Sequence, residues 1–493
     1  MSQHTATVAG VEVDTRHWIG GQRVASAETF ADISPIDETE IAQVSLGTAA
    51  EVDAAVAAAR SAFPAWAAMP VPERSAILRR VAELVEKRVE ELSQVETRDN
   101  GSLLRSHRRG VMPRVAMNFR FFADYAEHEL AHPDMEVRGH RERISYDPAG
   151  VVAIITPWNA PLMLATWRIG PALASGNCVV LKPPEWAPLT ASLLADITAE
   201  AGLPPGVFNV VQGTGLSAGA PLTSHPDINR LCFTGSVPTA GVIATAAAPN
   251  IVPLSFELGG KSPLVVFDDA DLDLAVHLAV EQFDNAGQVC LKGARLIVQD
   301  SIAEEFTRRV ADKAAALVQG DPREEATDVS ALIARRHFDQ VSGFVERALE
   351  DGARAILGGG PNEELGGLYF RPTILVDARP GSEILTEEVF GPVLTIETFA
   401  DEAEAVELAN NTRFGLAATL VTGDRDRGER VSALLDAGTV WVNCFFVRDL
   451  GAPFGGNNKS GIGREGGVWS FDFYTNIKTS TFSPSGWKED QHG

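Results

Sequence analysis

The sequence has 493 residues, of which 45% are hydrophobic, and this length and content suggest roughly two to four globular domains. Its formal net charge of −24 would repel nucleic acid and anionic membranes, so neither is an expected partner. No secretory signal is visible, and no apolar run reaches the roughly 18 residues of a membrane span, which favours a cytoplasmic location. The cysteines show no paired spacing, which argues against disulfides and a metal site; they are Cys178, Cys232, Cys290 and Cys444.

The first 130 residues indicate a short β-prone start followed by helices. Residues 48–63 open with a predicted capping box, Thr48 and Glu51, and carry apolar residues at helical spacing. A second amphipathic helix is predicted over 72–101, ending at Asn100 and Gly101. Polar alternation in 136–150 then predicts exposed strands.

From Val151 onward, short apolar runs such as VVAII, NCVVLK and INRLCF alternate with helical segments. This rhythm is typical of βαβ units and a parallel sheet, and it favours a doubly wound nucleotide-binding domain. A further series of runs, with a predicted capping box at Ser301 and Glu304, indicates a second α/β domain. The last segment, FYTNIKTSTFSP, alternates like an edge strand, so oligomerisation is expected.

Three residues that could carry chemistry interrupt apolar structure. Asn159 follows the strand VVAII and could donate to an oxyanion, although it could equally form a turn. Glu257 stands among apolar residues and glycines, where burial would raise its pKa and suit a general base; it could also cap a helix. Cys290, in FDNAGQVCLKG, could be a nucleophile or a packing residue.

Two segments could hold a nucleotide. FTGSVPTAG follows a strand and opens a helix, an arrangement suited to an anion at a helix amino terminus. Lys182 and Glu185 end the strand NCVVLK, and a glutamate there could accept hydrogen bonds from a ribose diol while repelling a 2′-phosphate. This favours NAD over NADP as the cofactor.

In chain order, TPWNAP, LKPPE, FTGS, FELGGKSP, GQVC, EEVFGPV, WVNC and PFGG together resemble the aldehyde dehydrogenase superfamily, from about Trp18 to the tail. The resemblance implies that Cys290 attacks an aldehyde and that Asn159 helps to hold the oxyanion. Hydride transfer to NAD would leave a thioester, which water activated by Glu257 would hydrolyse, with Glu465 in a supporting role.

The resemblance also implies a cofactor site and a fold. The loop GSVPTA departs from the family form GSTxxG at Val237 and Ala240, which leaves its phosphate contacts open. The implied cofactor residues are Thr156, Trp158, Lys182, Glu185, Gly215, Phe233, Gly235, Ser236, Leu258, Gly259, Glu388 and Phe390. The implied α/β fold has a Rossmann-type NAD-binding domain (1–130 and 149–256), an α/β catalytic domain (257–470) and a small β oligomerisation element (131–148 and 471–493).

A narrower similarity joins NFRFFADY, VRDLGAPFGG and GREGGVWSFDFYT to dehydrogenases of hydroxymuconic and aminomuconic semialdehydes. In that branch two arginines bind the substrate carboxylate. The similarity implies the same role here for Arg114 and Arg448. Both could instead form ordinary salt bridges.

Two alternative functions remain open at this level. One is a CoA-acylating semialdehyde dehydrogenase, against which Glu257 argues because that chemistry needs no base for water. The other is a catalytically idle structural or binding paralogue, against which the intact Cys290, Asn159 and Glu257 argue. The aldehyde and the choice between homodimer and homotetramer are not decided by the sequence.

Overall fold

The computed structural model of the chain describes residues 4–130 and 133–483. The predicted domains and element also include 1–3, 131–132 and 484–493, which lie outside the described residues. The first part contains β1 (Thr5–Val8), β2 (Val11–Asp14), β3 (His17–Ile19), β4 (Gln22–Val24), β5 (Thr29–Ile33), β6 (Glu40–Ser45), α1 (Ala49–Ala68), α2 (Val71–Lys87), α3 (Val89–Asn100), α4 (Leu104–Ser106), α5 (Met112–His128), β7 (Met135–Val137) and β8 (His140–Pro148).

Two local predictions in this part have different outcomes. The capping box is confirmed, because the Thr48 side chain accepts from the first turn of α1 and the Glu51 carboxylate accepts from the Thr48 N–H at 2.8 Å. The single helix predicted over 72–101 is wrong: it breaks at Arg88, whose φ of −109° and ψ of 18° separate α2 from α3. Its predicted end is confirmed, since Gly101 takes the left-handed conformation with φ of 77°.

The middle of the chain alternates strands and helices as the sequence predicts. Its elements are β9 (Val151–Ile155), α6 (Pro161–Ala174), β10 (Cys178–Lys182), α7 (Leu189–Glu200), β11 (Phe208–Val210), α8 (Ala220–Ser224), β12 (Arg230–Gly235), α9 (Val237–Ala247) and β13 (Leu254–Leu258). Within the described residues, β9 to β13 form the parallel centre of a sheet of order β21-β13-β12-β9-β10-β11-β3-β4, where β21 is Gly461–Ile462. The chain runs outward from β9 in both directions, which makes the β9/β12 boundary a topological switch point.

A second parallel sheet follows directly. Its region contains β14 (Pro263–Val266), α10 (Leu272–Glu281), β15 (Arg295–Gln299), α11 (Ala303–Ala315), α12 (Arg335–Glu350), β16 (Arg354–Leu357), β17 (Thr373–Val376), α13 (Glu383–Thr386), β18 (Val393–Phe399), α14 (Glu402–Asn410), β19 (Ala417–Val421), α15 (Arg425–Ser432) and β20 (Thr439–Val442). The strand order is β16-β17-β18-β15-β14-β19-β20, with β16 antiparallel to its neighbour. The capping box predicted at Ser301 and Glu304 is wrong, because a 3₁₀ turn occupies Asp300–Ile302 and α11 begins at Ala303 without a side-chain cap.

The end of the described chain returns to the first part. After β21 come α16 (Gly467–Tyr474) and β22 (Thr475–Phe482), and β22 is the edge strand of a sheet of order β22-β8-β7. The α/β fold class and the edge strand are confirmed; the assignment of the sheets to nucleotide binding, catalysis and oligomerisation remains a prediction. Over 4–130 and 133–483, no helix is both long and apolar enough to cross a membrane.

Candidate active site

The predicted site residues lie where the carboxyl ends of strands in the first large sheet face the amino ends of strands in the second. Asn159, Lys182, Ser236 and Gly259 follow the carboxyl ends of β9, β10, β12 and β13. Only a short link joins β13 to β14, so these ends lie close to the amino ends of the second sheet. Cys290 and Glu388 precede the amino ends of β15 and β18. The fold therefore brings groups that are far apart in sequence to one cleft.

Cys290 lies in a tight turn built on left-handed backbone. Asn285, Ala286 and Gly287 have φ values of 49°, 53° and 68°. At Gly287 a side chain is also excluded by space, because an added Cβ would lie 2.2 Å from the carbonyl oxygen of Gly391. The turn thus packs its backbone directly on the segment that leads into β18.

Cys290 is a free cysteine and is half-buried as a residue, whereas Cys178 and Cys232 are buried. Burial raises the pKa of Cys290 to about 12, and the nearby Glu388 and Glu257 carboxylates act in the same direction. The Arg448 guanidinium opposes them and favours the thiolate.

Asn159 is held against the cysteine turn. Its side-chain Nδ2 donates to the carbonyl oxygen of Gln288 at 2.9 Å, two residues before Cys290. In return, Asn285 Nδ2 donates to the Asn159 carbonyl oxygen at 3.1 Å. These bonds hold the amide against the turn that leads to Cys290, and the second amide hydrogen could meet an oxyanion.

Glu257 ends in a buried and unpaired carboxylate. The residue is 7% exposed, and within the described chain neither side-chain oxygen has a hydrogen-bond partner. Burial, followed by the charge of Glu465, raises its pKa well above the usual carboxyl value, while Arg168 and Arg448 act against the rise. A raised pKa makes the carboxylate a stronger base than an ordinary glutamate, which suits proton acceptance.

Glu465 is paired, in contrast to Glu257. Its carboxylate accepts from the Trp167 indole and forms an ion pair with Arg168. Arg168 also donates to Ser255 Oγ at 2.9 Å. The sequence interpretation missed Trp167 and Arg168, although an arginine inside the apolar helix segment LATWRIGPALA is a signal of a buried charged partner.

The two predicted substrate arginines converge on Trp167. The guanidinium carbon of Arg448 lies 5.2 Å from the Trp167 ring centroid and 3.6 Å from that of Phe454. The guanidinium carbon of Arg114 lies 5.6 Å from the Trp167 ring centroid. Among residues 4–130 and 133–483 neither arginine has an ion-pair partner, so the ordinary salt bridges considered above are absent from this part of the chain.

The nucleotide side contains charged groups that are already paired. Lys182 Nζ lies 3.7 Å from Glu185 Oε2, and the Gly215 N–H donates to the same oxygen at 2.8 Å. Burial lowers the pKa of Lys182 to about 8. Thr156, at the end of β9, is buried, and its hydroxyl has no partner within the described residues.

The other predicted cofactor residues form the rest of this wall. The Trp158 and Phe390 rings meet edge to face with centroids 5.4 Å apart. Gly259 leaves room for the Glu388 carboxylate, whose Oε2 would lie 1.7 Å from an added Cβ, and Gly260 N–H donates to Glu388 Oε1 at 3.0 Å. Phe233 and Gly235 end β12, Leu258 ends β13, and Ser236 caps α9 without a side-chain bond to the helix backbone.

These residues fit a dinucleotide. They combine an aromatic wall, glycines that admit close approach, a free helix amino terminus for phosphate and a carboxylate suited to a ribose diol. The unpartnered Thr156 hydroxyl lies on the same edge.

Comparisons with known proteins agree with this geometry. The aldehyde dehydrogenase family model matches residues 22–480. A 2-hydroxymuconic semialdehyde dehydrogenase of Pseudomonas sp. (strain CF600) is 45% identical over 482 residues, which cover 94% of this chain and 98% of that protein. A 2-aminomuconic semialdehyde dehydrogenase of Danio rerio is 41% identical over 475 residues, 94% of this chain and 97% of that protein.

A solved structure gives the same result for the fold. It is a mutant of the indole-3-acetaldehyde dehydrogenase of P. syringae, in complex with NAD+ and IAA. The two chains are 38% identical and superpose with a TM-score of 0.93, over 96% of this chain and 97% of that one.

Proposed function

The chain belongs to the aldehyde dehydrogenase family, and from this premise we propose that it oxidises a carboxylated semialdehyde to the acid through a thioester on Cys290. It is an NAD-dependent aldehyde dehydrogenase. The observation that carries the finer proposal is the grouping of three features around one cleft: the Cys290 thiol, the Glu257 carboxylate and two arginines. Within residues 4–130 and 133–483, the carboxylate has no hydrogen-bond partner and the arginines have no ion pair.

The chain's own groups divide the reaction into two halves. In the first, the Cys290 thiol loses its proton to solvent and its sulfur forms a bond to the aldehyde carbon, while the carbonyl π electrons move to oxygen. The Asn159 amide and the Cys290 N–H stabilise the resulting oxyanion. In the second, Glu257 takes a proton from water, whose oxygen attacks the thioester and releases the acid and the thiol. Glu465, held by Trp167 and Arg168, keeps negative charge beside Glu257 and so supports its basicity.

When bound, NAD would supply the hydride acceptor that the oxidation needs. Glu185 and Lys182 are assigned to the adenosine ribose, Ser236 to the pyrophosphate, and Glu388 and Phe390 to the nicotinamide ribose and ring. The Glu185 carboxylate favours NAD over NADP because it would repel a 2′-phosphate.

The two arginines define the substrate class. Unpaired, partly buried guanidinium groups are costly, and a substrate carboxylate would compensate them. Such binding would also overcome the repulsion of an anion by a protein of net charge −24. A muconic-type semialdehyde from aromatic ring cleavage combines an aldehyde with a carboxylate and suits both features.

The test is a substrate comparison with purified protein and NAD in the absence of CoA. NADH and acid formation are measured for a carboxylated muconic-type semialdehyde, benzaldehyde, betaine aldehyde and a short aliphatic aldehyde. We expect the highest kcat/KM for the carboxylated substrate. A higher value for betaine aldehyde would contradict the substrate class, and a requirement for CoA would contradict hydrolysis by Glu257.

A further inference from the structure

Lys292 is a buried lysine close in sequence to the proposed nucleophile. It lies two residues after Cys290 and is 6% exposed. Its Nζ donates to the carbonyl oxygen of Gly391 and, at 2.7 Å, to that of Val393. A lysine is rarely buried without a carboxylate partner, so two backbone carbonyls as acceptors indicate a specific placement.

The carbonyls that Lys292 contacts belong to the segment that carries Glu388 and Phe390. The Gly391 carbonyl is close to both the cysteine turn and Lys292. A Cβ added at Gly287 would lie 2.2 Å from the Gly391 carbonyl oxygen and 2.9 Å from Lys292 Nζ. On its other side, the segment is held by His337, whose Nε2 lies 2.8 Å from the Phe390 carbonyl oxygen. Lys292 therefore links the turn that contains Cys290 to the segment that is assigned to the nicotinamide.

We propose that Lys292 is a positioning residue that sets the Cys290 turn at a fixed place relative to the 388–393 segment. This inference rests on the proposed function, because it assumes that the sulfur and the nicotinamide share one substrate carbon. Hydride transfer depends on that relative placement, and a misplacement of about 1 Å can cost about 10²-fold in rate. Acylation of Cys290 by an activated ester, and hydrolysis of the resulting thioester, depend on Cys290, Asn159 and Glu257; neither step includes hydride transfer or needs a group of the 388–393 segment.

Electrostatics supports the same role. Burial raises the pKa of Glu388 to about 7, and the Lys261 and Lys292 ammonium groups act against that rise. Burial, followed by the charge of Lys261, lowers the pKa of Lys292 well below its ordinary value, and the Glu388 carboxylate acts against that fall.

The experiment compares two activities of Lys292→Met, which preserves the length and volume of the side chain while removing its donors. The first is the burst of NADH with an aldehyde that carries deuterium or hydrogen on the reacting carbon. The second is hydrolysis of p-nitrophenyl acetate without NAD, in which the acyl group passes to the Cys290 sulfur, p-nitrophenolate leaves and water releases acetate. Lys313→Met, an exposed lysine on α11, is the matched control.

We expect the burst rate to fall by about 10- to 100-fold with a larger isotope effect, while ester hydrolysis stays close to that of the parent. Equal losses in both activities, or no loss in either, would overturn the role. If the methionine variant does not fold, Lys292→Gln, which retains amide donors on a shorter chain, is judged by the same two results. A parent protein that hydrolyses the ester but forms no NADH would refute the proposed function itself.

Discussion

The substrate side and the nucleotide side of the cleft differ in how their charged groups are compensated. On the nucleotide side, Lys182, Glu185 and the Gly215 N–H satisfy one another. On the substrate side, within the described chain, the Glu257 carboxylate has no hydrogen-bond partner, and Arg114 and Arg448 have no ion pair. Buried charges without partners are unfavourable unless a ligand or a proton compensates them.

This difference predicts that substitutions on the two sides will have effects of different size. On the paired side, solvent or a neighbouring group can replace a removed side chain in its hydrogen bonds. The loss of binding free energy is then limited to the hydrogen bonds that remain unmade. Removing a group from the unpaired side removes chemistry or the counter-charge of the substrate. Substitutions should therefore have large effects on the substrate side and small ones on the nucleotide side.

The largest effect is expected for Cys290→Ser. A serine hydroxyl is a much weaker nucleophile than a thiolate, so NADH formation should fall by about 10⁴-fold or more. NAD affinity, measured by calorimetry, should stay near that of the parent, since the nucleotide side is untouched. Cys444→Ser, a partly exposed thiol outside the proposed chemistry, is the control; substantial turnover by the Cys290 variant would remove it from the nucleophile role.

The next effect is expected for Glu257→Gln. The amide cannot take a proton from water, so a burst of NADH should be followed by turnover slowed about 10²- to 10⁴-fold. Because burial and Glu465 raise the pKa of Glu257, its carboxylate form accumulates only above the ordinary carboxyl range. Parent turnover should rise with pH through that ionisation, and the variant should lose this rise.

A half-buried carboxyl outside the site provides the control for that experiment. Burial also raises the pKa of Glu397, on β18. Glu397→Gln should keep both the burst and the pH dependence. Loss of the burst in Glu257→Gln would instead place the residue before hydride transfer.

A smaller and substrate-dependent effect is expected for Arg448→Met. Loss of a charge-assisted hydrogen bond should lower kcat/KM for the carboxylated semialdehyde by about 10- to 100-fold. An uncharged aldehyde of equal length should be little affected in its KM. Arg114→Met should act in the same direction, and Arg425→Met, on the exposed surface of α15, is the control. Equal losses for both aldehydes would argue for a structural role on Trp167.

The smallest effect is expected for Glu185→Gln on the nucleotide side. An amide can still accept from a ribose hydroxyl and from the Gly215 N–H, so the Kd of NAD should rise only about 3- to 10-fold. Removal of the negative charge should improve NADP binding relative to NAD. An unchanged NAD to NADP ratio would contradict the assignment of Glu185 to the ribose.

The sequence predicts the two parallel sheets well because strand and helix periods differ clearly between Val151 and Cys444. It also points to Cys290, Asn159 and Glu257, because each stands at a break in otherwise apolar structure. The cleft itself follows from topology: residues after β9, β12 and β13 must meet those before β15 and β18.

The features that the sequence did not predict depend on contacts between distant segments. Arg168 pairs with Glu465, and Lys292 reaches carbonyls near β18. The arginine inside an apolar helix segment signals a buried charged partner, but no local pattern identifies that partner or the acceptors of Lys292. The break at Arg88 and the absent Ser301 cap are decided by backbone conformation, which competes with residue preference at helix ends.

The most direct test of the proposed chemistry is mass spectrometry of Glu257→Gln after brief reaction with NAD and the carboxylated semialdehyde. The thioester should accumulate, and the peptide containing Cys290 should gain the mass of the substrate's acyl group. The same adduct should be absent without NAD and absent from the double variant with Cys290→Ser. An acyl group on another cysteine, or NADH formation with no adduct on Cys290, would contradict the mechanism.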